Sequence, residues 1–269
     1  MANRSNKRGV DAVQAAFQRA QDDGRCALIT YLTLGYPTSE DSLALVPALE
    51  AGGADLIELG VPFSDPVADG PTIQAASQAA LEGGITPTRC LELAAELRQG
   101  GLTVPLLLMG YYNPILSYGE RAFVEACQRA GVDGLIVPDL PPEEATALHE
   151  ACEERGIALV FLVAPNSSSE RIARIAAKTS GFLYVVTRLG ITGAGQALDP
   201  ALGERLEQVR EVAQTPVAAG FGISEPAQVA AIRSSVDGVI VGSALVRRAP
   251  EGATVLERYV ASLREACKC

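Results

Sequence analysis

The stretch Asp55-Leu-Ile-Glu58-Leu-Gly60, continued by Val61-Pro-Phe-Ser-Asp-Pro-Val-Ala-Asp69-Gly-Pro71, contains the unit from which we infer the fold. It begins as a short apolar run that is interrupted by the carboxylate of Glu58. A loop rich in proline, glycine and aspartate follows, and these residues favour fixed turns. Asp69-Gly-Pro71 then leads into a predicted helix at 72–81. Strand, loop and helix in this order make up one βα unit.

Apolar runs of this kind recur along the whole chain, and most are nearly continuous rather than alternating. Such runs are typical of parallel strands that are buried on both faces. We predict eight strands, at 27–33, 55–59, 104–109, 134–137, 158–163, 183–187, 217–219 and 238–241. Helical segments separate them, and one additional helix, roughly 9–23, precedes the first strand.

Eight alternating βα units favour closure into a barrel over an open sheet. We therefore predict that residues 1–269 form a single α/β domain, a (β/α)8 (TIM) barrel with an extra N-terminal helix. Three helix-to-strand junctions support repeated βα units because each ends in an aspartate directly before an apolar strand. These junctions are Ala51-Gly-Gly-Ala-Asp55, Ala130-Gly-Val-Asp133 and Ser235-Val-Asp237.

Length and charge agree with such a barrel and narrow the classes of function. The 269 residues are close to the roughly 250 that this fold needs. A formal net charge of −10 argues against nucleic acid and anionic membrane as partners. The polar segment 1–9 lacks a signal-peptide pattern, and no apolar run reaches about 18 residues. We therefore expect a cytoplasmic protein.

Histidine and cysteine usage limits the chemistry. The six cysteines show no C-x-x-C pair, so we expect reduced thiols and no metal site. The single histidine, His149, lies in a polar helical stretch. Histidine is the commonest general base near neutral pH, and without a well-placed one this role falls to Asp, Glu, Lys, Tyr or Cys.

In a (β/α)8 barrel the active site lies at the carboxyl ends of the strands, the end that we call the mouth. Glu58 points into the barrel if Leu59 points toward the helices, because side chains alternate along a strand. A buried, unpaired carboxylate is costly, which favours catalysis over the alternative of a structural pair with a neighbouring strand. Asp69 is either the N-cap of the next helix or a group that projects over the mouth.

Glycine-rich turns after the last two predicted strands indicate an anionic ligand. They read Gly220-Phe-Gly-Ile-Ser224 and Gly242-Ser243-Ala, and Ser224 is predicted to cap the following helix. Helix N-termini bind phosphate through free N–H groups, and these two loops are the usual phosphate site of the fold. The loop 188–195 contains three glycines, which makes it a candidate lid.

The segment from Leu59 to Gln74 resembles the signature of the tryptophan synthase α subunit family. The resemblance covers nearly the whole chain, including the glycine turns described above. It implies retro-aldol cleavage of indole-3-glycerol phosphate to indole and glyceraldehyde 3-phosphate, in the last step of tryptophan biosynthesis. By the same resemblance, Glu58 would act as acid and then base, and Asp69 would stabilise positive charge at the indole nitrogen.

The resemblance also implies roles for other residues around the mouth. Tyr184 would orient Glu58, and Thr192 would close the lid loop and orient Asp69. The phosphate would be bound by Gly193, Gly222, Gly242 and Ser243. The indole pocket would be walled by Tyr31, Leu108, Ile136, Phe221 and Ile240. This chain would need no cofactor, because pyridoxal phosphate belongs to the β subunit, with which the family forms a tetramer of two α and two β subunits.

Two positions depart from the family pattern. Tyr31 stands where some members have phenylalanine, and Tyr36 stands where some have aspartate. Two functions are alternatives to the α-subunit role: a stand-alone lyase that releases free indole, and a catalytically silent regulatory barrel. The presence of both Glu58 and Asp69 argues against the silent barrel.

Contact with a β subunit is predicted at the mouth, from the loops that follow the second and third strands. The first of these is the segment 65–67. The second contains Tyr112, Pro114 and Ile115, which are apolar for a surface loop. Exposed apolar groups of this kind mark interfaces, although packing of the loop on the barrel is the alternative.

Overall fold

Parallel strands form the centre of the fold in the computed structural model, which describes residues 7–164, 166–187, 201–220 and 222–269. The described strands are β1 (Ala27–Thr33), β2 (Leu56–Gly60), β3 (Leu106–Met109), β4 (Gly134–Ile136), β5 (Ala158–Val160), β6 (Leu162–Val163), β7 (Leu183–Val186), β8 (Val217–Gly220) and β9 (Gly238–Val241). They form one sheet in the order β5-β4-β3-β2-β1-β9-β8-β7-β6. All seven residues of β1 are buried, as a strand covered on both faces requires.

The sheet closes because β5 and β6 are two halves of one extended segment, the predicted strand 158–163. Phe161 separates them, so that β5 pairs with β4 on one side and β6 pairs with β7 on the other. The Phe161 carbonyl oxygen accepts the N–H of Tyr184 at 3.1 Å, which continues the hydrogen bonding across the break. The nine described strands thus correspond to the eight predicted ones, and the barrel is confirmed.

Helices surround the barrel, and most of them connect one strand to the next. They are α1 (Val10–Asp22), α2 (Ser39–Ala51), α3 (Pro71–Glu82), α4 (Pro87–Gln99), α5 (Tyr112–Tyr118), α6 (Glu120–Ala130), α7 (Thr146–Arg155), α8 (Ser169–Ala176), α9 (Leu202–Val212), α10 (Pro226–Ile232), α11 (Ser243–Arg248) and α12 (Ala253–Ala266). The predicted helix before the first strand is α1. Within the described ranges, no helix combines the length and apolar character needed to cross a membrane.

Two predictions concern the residues that cap the starts of helices α3 and α10. The helix predicted at 72–81 is α3, which begins at Pro71 and has no side-chain cap, so Asp69 does not serve as its N-cap. The prediction that Ser224 caps the next helix is wrong. The N-cap of α10 is Glu225, whose side chain accepts the N–H of Gln228 while the Gln228 side chain accepts the N–H of Glu225. This reciprocal capping box satisfies two donors at once, which a single serine hydroxyl cannot do.

The three similar junctions lie at the amino ends of the strands, opposite the mouth. Each aspartate exchanges two hydrogen bonds with one residue of the preceding strand: its N–H donates to that residue's carbonyl oxygen, and its carboxylate accepts that residue's N–H. The pairs are Asp55 with Leu28, Asp133 with Leu106 and Asp237 with Val217, at 2.7 to 3.0 Å. Ser180 repeats the arrangement with Leu159 through its hydroxyl, at 3.0 and 2.8 Å.

Each of these carboxylates also forms an ion pair with an arginine. The pairs are Asp55 with Arg25, Asp133 with Arg98 and Asp237 with Arg210, at 2.6, 2.5 and 2.7 Å. The Asp133 side chain is fully buried and also accepts the N–H of Gly9 at 2.7 Å, which fixes the start of α1. The amino ends of the strands are therefore joined by paired, hydrogen-bonded charges.

Histidine and cysteine lie away from the mouth. His149 is on α7, where its Nε2 lies 3.1 Å from the carbonyl oxygen of Lys178. All six cysteines fall within the described residues and are free thiols. In the same residues, no three His, Cys, Asp or Glu side chains lie close enough together to hold a metal ion.

Candidate active site

Glu58 lies near the carboxyl end of β2 and points into the barrel. Its partner in the strand register is Tyr31 on β1. When Glu58 is ionised, its charge also interacts with Tyr184, which lies on β7 across the interior. Glu58 is 1% exposed, and neither of its carboxyl oxygens has a hydrogen-bond partner among the described residues. Within that part of the chain, the alternative of a structural pair with a neighbouring strand is therefore not found.

Burial raises the pKa of Glu58 to about 8. Removal from water disfavours the charged form of a carboxyl group, and here no donor or cation from the described residues offsets that effect. Near neutral pH the group is therefore mostly protonated. A protonated carboxyl group at the mouth of a barrel is suited to general acid catalysis.

Asp69 lies in the loop between β2 and α3 and is 6% exposed. Its Oδ2 accepts a hydrogen bond from the Tyr111 hydroxyl at 3.0 Å, and that hydroxyl accepts the N–H of Ala68 at 3.0 Å. The backbone of Asp69 is fixed as well, because its N–H donates to the Pro66 carbonyl oxygen and its carbonyl oxygen accepts from the Gln74 amide. Of the two alternatives for Asp69, the N-cap is excluded because Gly70 occupies that position, and projection of the carboxylate over the mouth stays a prediction.

The two carboxyl groups differ in their ionisation. Burial raises the pKa of Asp69 to about 6, while the hydrogen bond from Tyr111 acts in the opposite direction. Between about pH 6 and about pH 8, Asp69 is therefore mostly ionised and Glu58 mostly protonated. Over that range the pair consists of one protonated acid, Glu58, and one negative charge, Asp69.

Two glycines make room for tyrosine hydroxyls beside Glu58. A Cβ at Gly60 would lie 2.0 Å from the hydroxyl oxygen of Tyr31, and a Cβ at Gly220 would lie 2.4 Å from that of Tyr184. The Tyr31 hydroxyl lies 3.3 Å from Oγ1 of Thr33. Both phenols are therefore held in the interior of the barrel by close packing against backbone.

Tyr184 lies beside Glu58 without a hydrogen bond to it, since both oxygens of Glu58 are unpartnered in the described part of the chain. Burial, followed by the charges of Glu58 and Asp69, raises the pKa of the Tyr184 hydroxyl, which is therefore protonated near neutral pH. The role of Tyr184 in orienting Glu58 therefore stays a prediction, because no hydrogen bond joins the two side chains among the described residues.

The strand register determines which apolar side chains face the interior. Met109 pairs with Gly60, two residues after Glu58, and Ile136 pairs with Met109. Paired residues of parallel strands point to the same side, and side chains alternate along each strand. Met109 and Ile136 therefore face the interior with Glu58. Ile240 does so as well, because it pairs with the residue two positions before Tyr31.

Leu108 lies on the other face of its strand, so its assignment to the pocket wall is corrected. It lines a small apolar cavity together with Ile115 on α5 and Phe123 on α6. This cavity is part of the contact between the barrel and its helices. According to the strand register, Met109 faces the interior instead of Leu108.

The glycine turns after β8 and β9 lie at the mouth. Gly222 has a positive φ of 93°, a conformation that favours glycine. Gly242 is the N-cap of α11, and Ser243 is its first residue. A Cβ at Gly242 would lie 3.3 Å from Cβ of Tyr31, so this turn packs directly against the aromatic side chain. Thr192, Gly193, Phe221 and the candidate lid 188–195 lie outside the described residues.

The apolar surface beside the mouth differs from the predicted one. Ile115 is 4% exposed and packs on the core, and Tyr112 is half-buried with its hydroxyl donating to Glu120 at 2.9 Å. The exposed apolar residues of this region are Val67, Leu116 and Tyr118. Helix α5 explains the difference, because its seven residues turn Ile115 inward and Leu116 outward.

Comparison with known proteins identifies the family of the chain. The family model for the tryptophan synthase alpha chain matches residues 17–268. The chain belongs to the tryptophan synthase alpha chain family. A relative of that name from Chloroflexus aggregans is 48% identical over 265 residues, which cover 95% of this chain and 99% of the relative. A protein of Saccharomyces cerevisiae named tryptophan synthase is 41% identical over 96% of this chain, which spans 37% of that longer protein.

Solved structures of this family share the barrel. The structure of Mycobacterium tuberculosis tryptophan synthase matches with a TM-score of 0.89 at 39% identity, over 96% of this chain and 98% of that one. The family resemblance inferred from the segment after Glu58 is therefore confirmed. As a tryptophan synthase alpha chain family member, the protein is a lyase of tryptophan biosynthesis with the role of the α subunit. A stand-alone lyase and a silent barrel are not favoured.

One residue of the site was not predicted for it. The Tyr111 hydroxyl donates a hydrogen bond to Asp69, whereas the sequence predicts a role for its loop only at the partner surface. The position of Tyr111 is what indicates its place in the site. It follows the end of β3 by two residues, and β3 is the neighbour of β2 in the sheet. Strand ends that are adjacent in a barrel bring their loops together, although sequence alone does not say which side chains meet.

Proposed function

We propose that Glu58 and Asp69 carry out the retro-aldol cleavage of indole-3-glycerol phosphate to indole and glyceraldehyde 3-phosphate. The observation that supports this assignment is the difference between two buried carboxyl groups at one mouth, with the pKa of Glu58 raised to about 8 and that of Asp69 to about 6. The reaction needs one group that gives a proton and one that remains negatively charged. We assign the proton to Glu58 and the negative charge to Asp69.

In the first step, the Glu58 carboxyl group transfers its proton to indole C3. The ring becomes an iminium cation, and Glu58 becomes a carboxylate. That carboxylate then takes the proton of the glycerol hydroxyl on the carbon bonded to C3. The O–H electrons form the aldehyde carbonyl, the C–C bond breaks, and its electrons neutralise the iminium to give indole. Glu58 ends protonated, so the protons balance over the cycle.

Asp69 stabilises the cation that forms between these two proton transfers. The indole N–H gains positive character when C3 is protonated, and an ionised carboxylate that accepts its hydrogen bond lowers the energy of that state. Burial strengthens the effect, because charges interact more strongly where water is excluded. The tyrosines that face Asp69 are neutral near pH 7, so they place no second negative charge beside it.

We assign substrate contacts to residues on the inner face and at the glycine turns. Tyr31, Met109, Ile136 and Ile240 would wall the indole, with Tyr184 beside Glu58. Gly222, Gly242 and Ser243 would bind the phosphate, since backbone N–H groups at a helix N-terminus favour an anion. Gly193 would add a phosphate contact, Phe221 a wall contact and Thr192 a bond to Asp69. None of these steps requires a cofactor or a metal in this chain.

We further propose that the chain acts in the cytoplasm in a tetramer of two α and two β subunits, and that pyridoxal phosphate is bound by the β subunit. The apolar residues Val67, Leu116 and Tyr118 beside the mouth offer a surface for that partner. The longer yeast relative supports a partner of this kind, because the region matching this chain is only part of that tryptophan synthase.

The proposed chemistry is tested by indole release from indole-3-glycerol phosphate. Glu58→Gln and Asp69→Asn should each lower kcat/KM by roughly 10²- to 10⁴-fold. Glu82→Gln, an exposed glutamate on α3, is the matched control and should leave the rate unchanged. A Glu58→Gln enzyme with full activity would refute the assignment of acid and base.

The pH profile of the same assay tests the division of roles. The value of kcat/KM should rise through about pH 6 as Asp69 ionises and fall through about pH 8 as Glu58 loses its proton, because the pKa values of the two groups lie there. Asp69→Asn should remove the acid limb and leave the alkaline limb. A profile that is flat from pH 5 to pH 9 would contradict this division.

The partner surface is tested by affinity for a tryptophan synthase β subunit and by stimulation of indole release. Leu116→Ser should weaken binding, since it removes an exposed apolar side chain and leaves the core intact. Gln21→Ala on α1, an exposed residue of another region, is the control. Unchanged affinity for Leu116→Ser would place the interface elsewhere, and the absence of stimulation by any β subunit would refute the complex.

A further inference from the structure

Tyr111 connects the loop that carries Asp69 to the end of β3. Its hydroxyl oxygen accepts the N–H of Ala68 at 3.0 Å and donates its proton to Oδ2 of Asp69 at 3.0 Å. The hydroxyl is therefore donor and acceptor at once, and its proton has one orientation. Hydrogen bonds in such a chain polarise one another, so the bond to the carboxylate is strengthened by the bond from the backbone.

The position of Tyr111 is fixed on both sides by its neighbours along the chain. The N–H of Gly110 donates to the Ile136 carbonyl oxygen at 3.1 Å, and the N–H of Tyr112 donates to Oδ1 of Asp139 at 2.9 Å. These bonds tie the residue to the loop end of β4. The placement of the hydroxyl is thus set by the barrel and does not depend on the loop that it holds.

The ring of Tyr111 is fixed as well. It stacks on Phe63 with 5.2 Å between ring centroids and 29° between ring planes, and the residue is 5% exposed. Phe63 belongs to the same loop as Asp69. Ring and hydroxyl therefore contact this loop at two separate points, and removal of the hydroxyl alone leaves the stacking in place.

We propose that Tyr111 is a positioning residue for the cleavage reaction, which holds Asp69 so that Oδ2 is occupied and Oδ1 is directed to the indole N–H. This inference rests on the function proposed above for Asp69. Among the described residues, the Tyr111 hydroxyl is the group that donates a hydrogen bond to the Asp69 carboxylate. A carboxylate held through one oxygen presents the other in a fixed direction, which is what stabilisation of a developing charge requires.

Tyr111 also favours the ionised form of Asp69. Burial raises the pKa of Asp69, and the hydrogen bond from Tyr111 lowers it again. The other titratable groups that face Asp69 are Tyr31 on β1 and Tyr184 on β7, whose pKa values are raised by burial and by nearby carboxylate charge, with Glu58 beside them. These phenols remain neutral below pH 10, so loss of the Tyr111 bond should raise the pKa of Asp69 without compensation.

The test is the Tyr111→Phe enzyme, which keeps the ring and removes the hydroxyl. We expect kcat/KM for indole-3-glycerol phosphate to fall by about 10- to 100-fold, the range for a hydrogen bond to a charged group. The acid limb of the pH profile should move up by about one unit. Tyr112→Phe is the matched control, since its hydroxyl bonds to Glu120 on α6, and it should change neither quantity.

A double-mutant cycle separates positioning from a structural role. In an Asp69→Asn background, Tyr111→Phe should lower kcat/KM by less than about threefold, because the group that it positions is already lost. A purely structural tyrosine would lower the melting temperature and leave the acid limb in place. A Tyr111→Phe enzyme with an unchanged acid limb and kcat/KM within twofold of the parent would overturn the inference, whereas an inactive parent enzyme would instead refute the proposed function.

Discussion

The two ends of the barrel use buried carboxyl groups in opposite ways. At the amino ends of the strands, Asp133 is fully buried and accepts hydrogen bonds from the N–H groups of Gly9 and Leu106 and from Arg98. At the mouth, Glu58 is equally buried, and neither of its oxygens has a partner among the described residues. Both side chains occupy an apolar barrel, so the difference lies in the donors that the chain supplies.

This difference separates stabilisation from function. A buried charge with several donors fixes the geometry of the strands, and its removal leaves those donors unsatisfied. A buried carboxyl group without donors is kept protonated at neutral pH, which is useful for catalysis and costly once it ionises. The barrel thus joins its strands at one end and holds its reactive groups at the other. This contrast between the ends can be measured.

The largest loss of stability is expected at Asp133. Asp133→Ala leaves the buried Arg98 and two backbone N–H groups without their acceptor, so the free energy of unfolding should fall by about 3 to 5 kcal/mol. Denaturant unfolding monitored by circular dichroism measures this loss. Glu82→Gln serves as the exposed control. A loss below about 1 kcal/mol would show that Asp133 does not stabilise the amino ends in the way described.

The opposite sign is expected for Glu58, and it depends on pH. The pKa of Glu58 is raised in the folded chain to about 8 from 4.5, so the folded state binds more protons than the unfolded state between these values. Stability therefore falls as the pH rises from about 4.5 to about 8, and the full cost is present above pH 8. Glu58→Gln has no such ionisation and should gain stability relative to the parent over this range, by about 1.4 kcal/mol for each pH unit between the two pKa values.

Thermal unfolding of the parent and Glu58→Gln at pH 5 and pH 9 checks this prediction. The difference in melting temperature between the two proteins should shift in favour of Glu58→Gln at the higher pH. Glu82→Gln, at an exposed position, should show no such shift. A difference that is the same at both pH values would mean that Glu58 is not the group that ionises.

A graded effect is expected at the two related aspartates, because exposure to water weakens an ion pair. The side chain of Asp55 is 12% exposed and that of Asp237 is 26% exposed, compared with 0% for Asp133. Asp55→Ala should therefore cost about 2 kcal/mol and Asp237→Ala about 1 kcal/mol. Equal losses at all three positions would show that burial of the pair does not set its contribution.

The smallest effect is expected at Ser180. At this junction a neutral serine hydroxyl stands where the other three junctions have an aspartate carboxylate. Ser180→Ala removes the acceptor of the Leu159 N–H, at 2.8 Å, and involves no ion pair. The expected loss is about 1 kcal/mol in the free energy of unfolding. Ser180→Asp would test whether a charge improves this junction, and a loss of several kcal/mol for Ser180→Ala would contradict the proposed ranking.

Glu58 is predictable from the sequence because a carboxylate is conspicuous in an apolar strand, and the alternation of side chains along a strand then predicts its direction. The prediction for Leu108 is wrong. Three leucines and a methionine in succession give no alternation from which to choose the inner face, and only the register with Gly60 and Ile136 identifies Met109. The barrel itself was predictable because its strands are distinct apolar runs, each separated from the next by a helical pattern.

Contacts between loops could not be predicted from the sequence for a different reason. The bond from Tyr111 to Asp69 joins residues 42 positions apart, in loops that lack periodicity. The sequence predicts Ile115 at the surface because it does not indicate the short helix α5, which turns this residue inward. It predicts Ser224 as a cap because the competing capping box depends on Glu225 and Gln228 together. Local preference identifies each candidate group, whereas tertiary contacts decide its partner.

The claim that Glu58 is protonated at neutral pH, whereas the carboxylates at the other end are paired, is tested most directly by a titration of its carboxyl carbon. Protein labelled with ¹³C at glutamate side chains would be followed by NMR from pH 4 to pH 10, with Glu58→Gln identifying the resonance. This resonance should titrate with a pKa of about 8. A midpoint near 4.5, the ordinary value of an exposed glutamate, would contradict it.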